Sequence, residues 1–299
     1  MQPRLQYRLW QIVSAVVSRL PLRVAYAVAA TLGFAGYYLW LPGRRAMNRN
    51  YRRVLRGAPS DEVNRVARAS LVNYFRYLAD FVRFPSLSPE ALRSAVEGAD
   101  AFAALDRALE RGKGAVVVCM HFGNWDLGAG AAAARGYSLT AVVEKFEDDR
   151  LDAMVVDSRR RLGMNVVKME KAGPSLVRAL RRNGLLALLI DRPVPGDGVK
   201  VRFFGEEVEV PAGPARLALL TGAQVVPTAF VRLTGNRQDV RTLADFSIDY
   251  SPTGDAAADV RNLTQAIMDV HEGYIRRYPD QWYMFREMWP NRSARTVSA

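Results

Sequence analysis

The sequence predicts an α/β protein with a central, mostly parallel sheet flanked by helices and an N-terminal helical segment that associates with a membrane. Three observations lead there. Short apolar runs at 115–119, 185–190 and 225–230 alternate with stretches of helical spacing, as buried strands covered on both faces do. Residues 1–60 carry ten arginines and no acidic residue, whereas the remaining 239 residues hold 32 basic against 30 acidic. That basic segment is also apolar, including an uncharged run at 24–41, a combination suited to an anionic membrane surface.

Composition excludes several classes. Hydrophobic residues at 49% and charged residues at 24% belong to a folded chain, so general disorder is excluded. The net charge of +12 sits almost wholly in the N-terminal segment, and no nucleic-acid-binding motif accompanies it. One cysteine, Cys119, permits no internal disulfide and fits a reducing compartment. Cys119 and two histidines, His121 and His271, cannot build a Cys/His zinc site, so no metal is expected. The opening MQPRLQYRLW lacks the compact apolar core and small-residue cleavage site of a secretory signal.

In chain order, residues 5–20 place Leu5, Leu9, Val13, Val16 and Leu20 along one helical stripe. The run 24–41 just reaches the length of a membrane-spanning helix. It has arginines on both flanks, however, and Tyr37, Tyr38 and Trp40 at its end suit a headgroup boundary. A helical hairpin lying in or on the cytoplasmic leaflet is therefore expected, with a single span and a buried core helix as alternatives. Residues 60–92 are helical again, punctuated by Pro85 and Pro89. Helices are expected at 101–111, 125–135, 150–162, 175–182 and 212–221, a strand at 245–250, and a last amphipathic helix at 256–277. The domain reading is an anchor at 1–56, an α/β domain at 57–291 and a polar tail at 292–299.

The chemistry concentrates where the strand 115–119 runs through Met120 into His121-Phe-Gly-Asn-Trp-Asp126. In α/β sheets reactive groups gather where strands end and helices begin. An H-x4-D spacing suits a histidine on the loop and a carboxylate on the first helical turn. Asp126 is expected to accept from one ring nitrogen and leave the other as a base. Other patterns dissolve. Gly128–Ala133 imitates a dinucleotide fingerprint but lies inside a helix, and there is no nucleophile elbow or Walker loop. Glu147-Asp148-Asp149 reads as a solvated helix start, His271 as structural and Cys119 as an inert core residue.

HFGNWD resembles the H-x4-D/E motif of the bacterial lipid A biosynthesis acyltransferases (lauroyl and myristoyl acyltransferases) and the related phosphatidylinositol mannoside acyltransferases. The resemblance continues through Arg159-Arg-Arg-Leu-Gly163 and Asp191-Arg-Pro, then Phe203-Phe-Gly205 and Pro211-Ala-Gly-Pro-Ala-Arg-Leu-Ala218. Thr221-Gly-Ala-Gln-Val-Val-Pro227 and Tyr278-Pro-Asp-Gln-Trp282-Tyr-Met-Phe-Arg-Glu-Met-Trp289 complete it. It implies transfer of an acyl group from acyl-CoA or acyl carrier protein to a hydroxyl of a membrane glycolipid or phospholipid, without a further cofactor. The implied location is the cytoplasmic face of the bacterial inner membrane. His121 would be the general base and Asp126 its orienter. Arg159 would be an oxyanion donor or phosphate contact, the alternative being a solvated helix face. Asn124, Asp191, Phe203 and Phe204 are further candidate substrate contacts; Asp191 reads equally as a loop cap, and the phenylalanines as core. The family often carries a second acid two positions beyond Asp191, where this chain has Pro193. A hydrolase using the same pair and a non-catalytic lipid-binding protein are the competing readings.

Overall fold

The computed structural model describes residues 3–97, 102–143, 148–169, 173–192, 198–233, 240–243 and 247–289. The N-terminal half is helical: α1 (Pro3–Arg19), α2 (Leu22–Leu39), α3 (Leu41–Val54), α4 (Ser60–Arg83) and the short α5 (Pro89–Ser94). The two-residue β1 (Val96–Glu97) and α6 (Ala103–Leu109) lead into alternating elements. These are β2 (Ala115–Cys119), α7 (Trp125–Ala134), β3 (Leu139–Val143), α8 (Asp149–Arg161), β4 (Asn165–Lys168), α9 (Gly173–Arg181) and β5 (Leu185–Leu189). The hairpin β6 (Gly198–Phe203) and β7 (Glu206–Pro211) follows, then α10 (Gly213–Thr221), β8 (Gln224–Pro227), β9 (Ala229–Arg232), β10 (Val240–Leu243) and α11 (Ala256–Arg277).

The main sheet has the order β4-β3-β5-β2-β8 and all its pairs are parallel. The burial of β2 explains its unbroken apolar run. Val116 and Val118 enter one core, with Ile267 of α11 and Trp282, while Ala115, Val117 and Cys119 enter the other, with Leu127 and Ala131 of α7. A strand with both faces covered has no use for a polar alternate residue.

The expected strand at 225–230 is two strands. Thr228 donates its N–H to Val118 O at 2.8 Å, and beyond it the chain joins a second sheet, β1-β10-β9. The expected strand at 245–250 shortens to an isolated bridge at Ile248 with Val225, and its first two residues lie outside the described set.

The helix that precedes residue 56 shares a core with the α/β elements. Met47, Tyr51 and Val54 of α3 belong to the same core as β2 and Trp282. The segment 282–288 is fastened from α3 and α4: Tyr51 Oη and Ser70 Oγ both donate to Trp282 O, and Asn50 Nδ2 donates to Arg286 O at 2.6 Å. The polar tail lies outside the described residues.

Among the described residues α2 alone is long and apolar enough to cross a membrane. Ala25, Tyr26, Ala29, Gly33 and Tyr37 are nevertheless buried, a stripe close to the four-residue ridge of packed helices. A Cβ on Gly33 would stand 2.7 Å from Val72 Cα, so glycine lets α2 lie close on α4. The other face leaves Val24, Val28, Leu32, Phe34 and Leu39 exposed, continuous in sequence with exposed Trp40 and Leu41.

Candidate active site

His121 stands two residues beyond Cys119, and Asp191 two beyond Leu189, which are registered partners on adjacent parallel strands. In-register strands therefore deliver both side chains to the same sheet edge. His121 Nδ1 lies 2.7 Å from Asp191 Oδ1, and His121 N–H donates to Asp191 Oδ2 at 3.0 Å. Trp282 Nε1 donates to Oδ2 as well, at 3.2 Å. Burial works to raise the Asp191 pKa, but the charge of a protonated His121, its ring and backbone hydrogen bonds and the Arg192 charge outweigh it and hold the carboxyl below its ordinary value. An ionised carboxylate only accepts, so the imidazole proton sits on Nδ1 and Nε2 carries the lone pair. Among the described residues Nε2 has no hydrogen-bond partner, and the side chain is 10% exposed.

The loop after His121 is fixed at every residue. Tyr283 N–H donates to His121 O at 2.7 Å, Gly123 N–H to Gln281 O at 2.9 Å, and Asn124 N–H to Phe230 O at 2.9 Å. Gly123 has φ +60, and a Cβ there would meet Phe230 O at 1.8 Å, so only glycine permits this turn.

The expectation that Asp126 orients His121 is corrected. Asp126 lies on the first turn of α7, where its charge complements the helix dipole, but its oxygens are committed elsewhere. Arg159 Nε donates to Oδ1 at 2.7 Å and Nη2 to Oδ2 at 3.1 Å, while Tyr77 Oη donates to Oδ2 at 2.7 Å. Burial opposes the Arg159 charge, and the Asp126 carboxylate overrides it, so the guanidinium stays protonated. Burial and then the Asp126 charge push the Tyr77 phenol well above its ordinary pKa, keeping it a donor. Arg159 is thus neither a solvated surface arginine nor a guanidinium open to an oxyanion: it is the bidentate partner of Asp126.

Three other expected contacts also change. Asn124 is fully buried; its Oδ1 caps α7 by accepting from Leu127 N–H, and its Nδ2 donates to Asp80 Oδ2 at 2.9 Å. Both ends of the amide are consumed internally. Phe203 and Phe204 are buried against Trp289. They end the β6–β7 hairpin, where Phe204 (φ +52) and Gly205 (φ +79) form its two-residue turn, as in a type I′ geometry. Neither borders the cavity beside Asp126. Asp191, read equally as a loop cap, is the histidine's partner. Pro193 lies outside the described residues.

Sequence reasoning missed Tyr77 and Asp80. Asp80 is fully buried and accepts from Tyr26 Oη at 2.6 Å, from Asn124 Nδ2 and from Arg232. An acid inside the apolar helical stretch Leu78-Ala-Asp-Phe-Val82 was the available signal, since such a group must be paired. His271 is buried and bonded to Val118 O at 3.1 Å, and burial lowers its pKa to about 4, so it is a neutral structural residue. Burial and then the nearby Asp191 and Asp126 push the Cys119 thiol up to about 12, which leaves it unreactive.

An apolar cavity of about 50 Å³ opens between α7 and the sheet, bordered by Trp125, Asp126 and Arg159 at one part and by Ala129, Ala132 and Leu139 at another. The Trp125 ring meets the His121 ring edge-on at 5.3 Å, which joins the slot to the base. Among the described residues no group of three or more His, Cys, Asp or Glu side chains could hold a metal ion.

Residues 4–291 match the family described as bacterial lipid A biosynthesis acyltransferase. A phosphatidylinositol mannoside acyltransferase of Mycolicibacterium smegmatis (strain ATCC 700084 / mc(2)155) is 32% identical over 252 residues, 83% of this chain and 80% of that protein. One of the same name from Mycobacterium tuberculosis (strain CDC 1551 / Oshkosh) is 31% identical over 264 residues, 85% of this chain and 80% of its own length. With the match running from α1 through the C-terminal segment that buttresses His121 and Asp191, the chain belongs to the bacterial lipid A biosynthesis acyltransferase family and is an acyltransferase.

Proposed function

We propose that the chain transfers a fatty acyl group from a thioester donor, acyl-CoA or acyl carrier protein, to a hydroxyl of a membrane glycolipid, with His121 as general base. The observation that carries this reading is the His121–Asp191 pair at the ends of adjacent strands. His121 Nε2 takes the proton of the acceptor hydroxyl as its oxygen attacks the thioester carbonyl. The C–S bond then breaks, and the imidazolium returns the proton to the leaving thiolate. Asp191 fixes the tautomer and stabilises the imidazolium that forms between the two steps. The apolar slot beneath α7 receives the proximal part of the acyl chain, where the small side chains of Ala129 and Ala132 leave room for methylenes. The relatives' names support a mannosylated phosphatidylinositol as the acceptor class.

The same reading places the protein on the cytoplasmic face of the bacterial cell membrane as a monotopic enzyme. A helix packed along α4 by one face, and hydrogen-bonded into the interior through Tyr26, is not surrounded by lipid; its exposed face is the part that inserts. The N-terminal arginines supply the attraction to an anionic surface, each about 1 kcal/mol and weakened by salt.

The test is a purified-protein assay with labelled acyl-CoA and a phosphatidylinositol mannoside in vesicles, read by mass spectrometry of the lipid. His121→Ala is expected to lower turnover by about 10²–10⁴-fold with an unchanged circular dichroism spectrum. Acyl release that ignores the acceptor would replace transfer by hydrolysis, and near-normal lipid product from His121→Ala would end the mechanism.

A further inference from the structure

The corner where α2 passes into α3 sets arginines among exposed apolar and aromatic side chains. Phe34, Tyr38, Leu39, Trp40 and Leu41 are between 42% and 82% exposed. Two guanidinium groups lie on the rings of this patch. Arg68 of α4 stands over the Phe34 ring at 5.1 Å and donates from Nη1 to Tyr38 Oη at 2.8 Å. Arg44 of α3 stands over the Tyr37 and Tyr38 rings at 5.0 and 5.4 Å. Tyr37 is buried and its hydroxyl donates to Asn48 Oδ1 at 3.0 Å, so the platform under Arg44 is fixed from within. Both guanidiniums therefore touch Tyr38, one at the ring face and the other at the hydroxyl.

No acid answers them. Arg49, Arg53 and Arg65 on the same two helices pair with Glu287, Glu206 and Glu62, but among the described residues Arg44 and Arg68 pair with no carboxylate. A guanidinium that meets a ring by its face keeps its in-plane N–H groups for another acceptor, and their fork fits a phosphate. The surroundings choose the source of that phosphate. A soluble anion has no use for the exposed corner Leu39-Trp40-Leu41, whereas a phospholipid brings phosphate and acyl chains together. Tyr38 and Trp40 are of the types that settle at headgroup depth, where the phosphates lie. A headgroup ammonium would compete for the phosphate, so the match is to a phospholipid without one.

We infer that Arg44 and Arg68, held on either part of Tyr38, clamp the phosphate of an anionic phospholipid while the corner at 39–41 enters the acyl layer. The inference rests on the membrane reading above and goes past it. Diffuse attraction asks only for positive charge, whereas a clamp asks for arginine at two positions.

The test sediments the full-length protein with phosphatidylcholine vesicles, with and without phosphatidylglycerol, in salt that screens diffuse attraction. Arg44→Lys/Arg68→Lys keeps both charges, yet should weaken partition to the phosphatidylglycerol vesicles about tenfold or more. Arg44→Gln/Arg68→Gln should lose little beyond that. Arg8→Lys/Arg23→Lys, at exposed positions over no ring among the described residues, should change nothing. Partition to phosphatidylcholine alone should be the same in every variant, which also shows the corner intact. A lysine variant that binds as the wild type does, or no loss in either variant, overturns the clamp and leaves membrane binding in place. If the wild type ignores both kinds of vesicle, the membrane reading has failed. Calorimetric titration with short-chain phosphatidylglycerol below its micelle concentration then decides the site. Binding weakened in the lysine variant supports it, and absence of binding to the wild type overturns it. So does a dimer of the lipid-free protein that the double variants dissociate, which would make the corner a subunit interface.

Discussion

Two carboxylates near His121 behave in opposite ways. Asp126 is five residues away in sequence, on the same loop-helix unit, and it serves an arginine and a tyrosine. Asp191 is seventy residues away and serves the histidine through both oxygens. The difference teaches that sheet register outranks sequence spacing at a strand end. An i, i+5 step from loop to helix fixes only that two groups are near, whereas neighbouring parallel strands of equal reach place the residues after them side by side. Asp126 instead builds the wall of the apolar slot, where an unpaired Arg159 would be intolerable.

Three measurements break or sharpen the comparison, from the largest effect to the smallest. Asp191→Asn should cost on the order of 10³-fold in kcat, because an amide can hold the wrong imidazole tautomer. A variant close to wild type at pH 7 would remove Asp191 from the mechanism.

His271 provides the contrast of a histidine with no carboxylate bonded to its ring. Its folded pKa of about 4 lies below the ordinary 6.5, so the unfolded chain binds the extra proton first as pH falls. Stability should therefore be unaffected above about pH 6.5 and decline between 6.5 and 4, by about 3 kcal/mol at full extent. Urea titrations of wild type and His271→Gln across that window read the effect directly; equal slopes in the two proteins would contradict it.

Asp126→Asn should act mainly on the fold, lowering unfolding free energy by about 2 kcal/mol as the buried Arg159 loses its counter-charge. The loss of turnover should be much smaller than for Asp191→Asn. Equal kinetic losses in the two variants, with stability unchanged, would restore the sequence-based assignment of Asp126 as the orienter.

Much of the architecture was legible because burial wrote it plainly. The β2 strand and the helices α7 and α11 carry unmixed periodicities, and the sequence reading matches their bounds to within a residue. The missed elements have mixed signals. β4 is an edge strand with exposed Asn165 and Lys168, and the β6–β7 hairpin alternates valines with charged residues on a surface face. The strand break at Thr228 depends on a hydrogen bond to Val118, which no local pattern announces. At the site, His121 and Asp126 were conspicuous by spacing, but Asp191 needed the register of β2 against β5. Asp80 shows the converse: an acid in an apolar helical stretch was visible, and its three partners come from α2, the cap of α7 and β9, distant in sequence.

The fastening of residues 282–288 by α3 and α4 has a consequence for how the protein is made. Asn50 accepts the N–H of Met288, and Tyr51 and Ser70 close on Trp282, so elements from opposite parts of the chain complete one interior. A ribosome delivers every strand of the parallel sheet before it delivers Trp282. Until then Asp191 lacks the indole that steadies it, and Met47 and Tyr51 lack their cover. Folding with contacts this distant is slow, and its intermediates expose apolar surface. During that interval α2 is already outside the exit tunnel with its exposed apolar face uncovered. The apolar face of α2 therefore meets water, or whatever covers it, well before the half that carries His121 and Asp191 is complete.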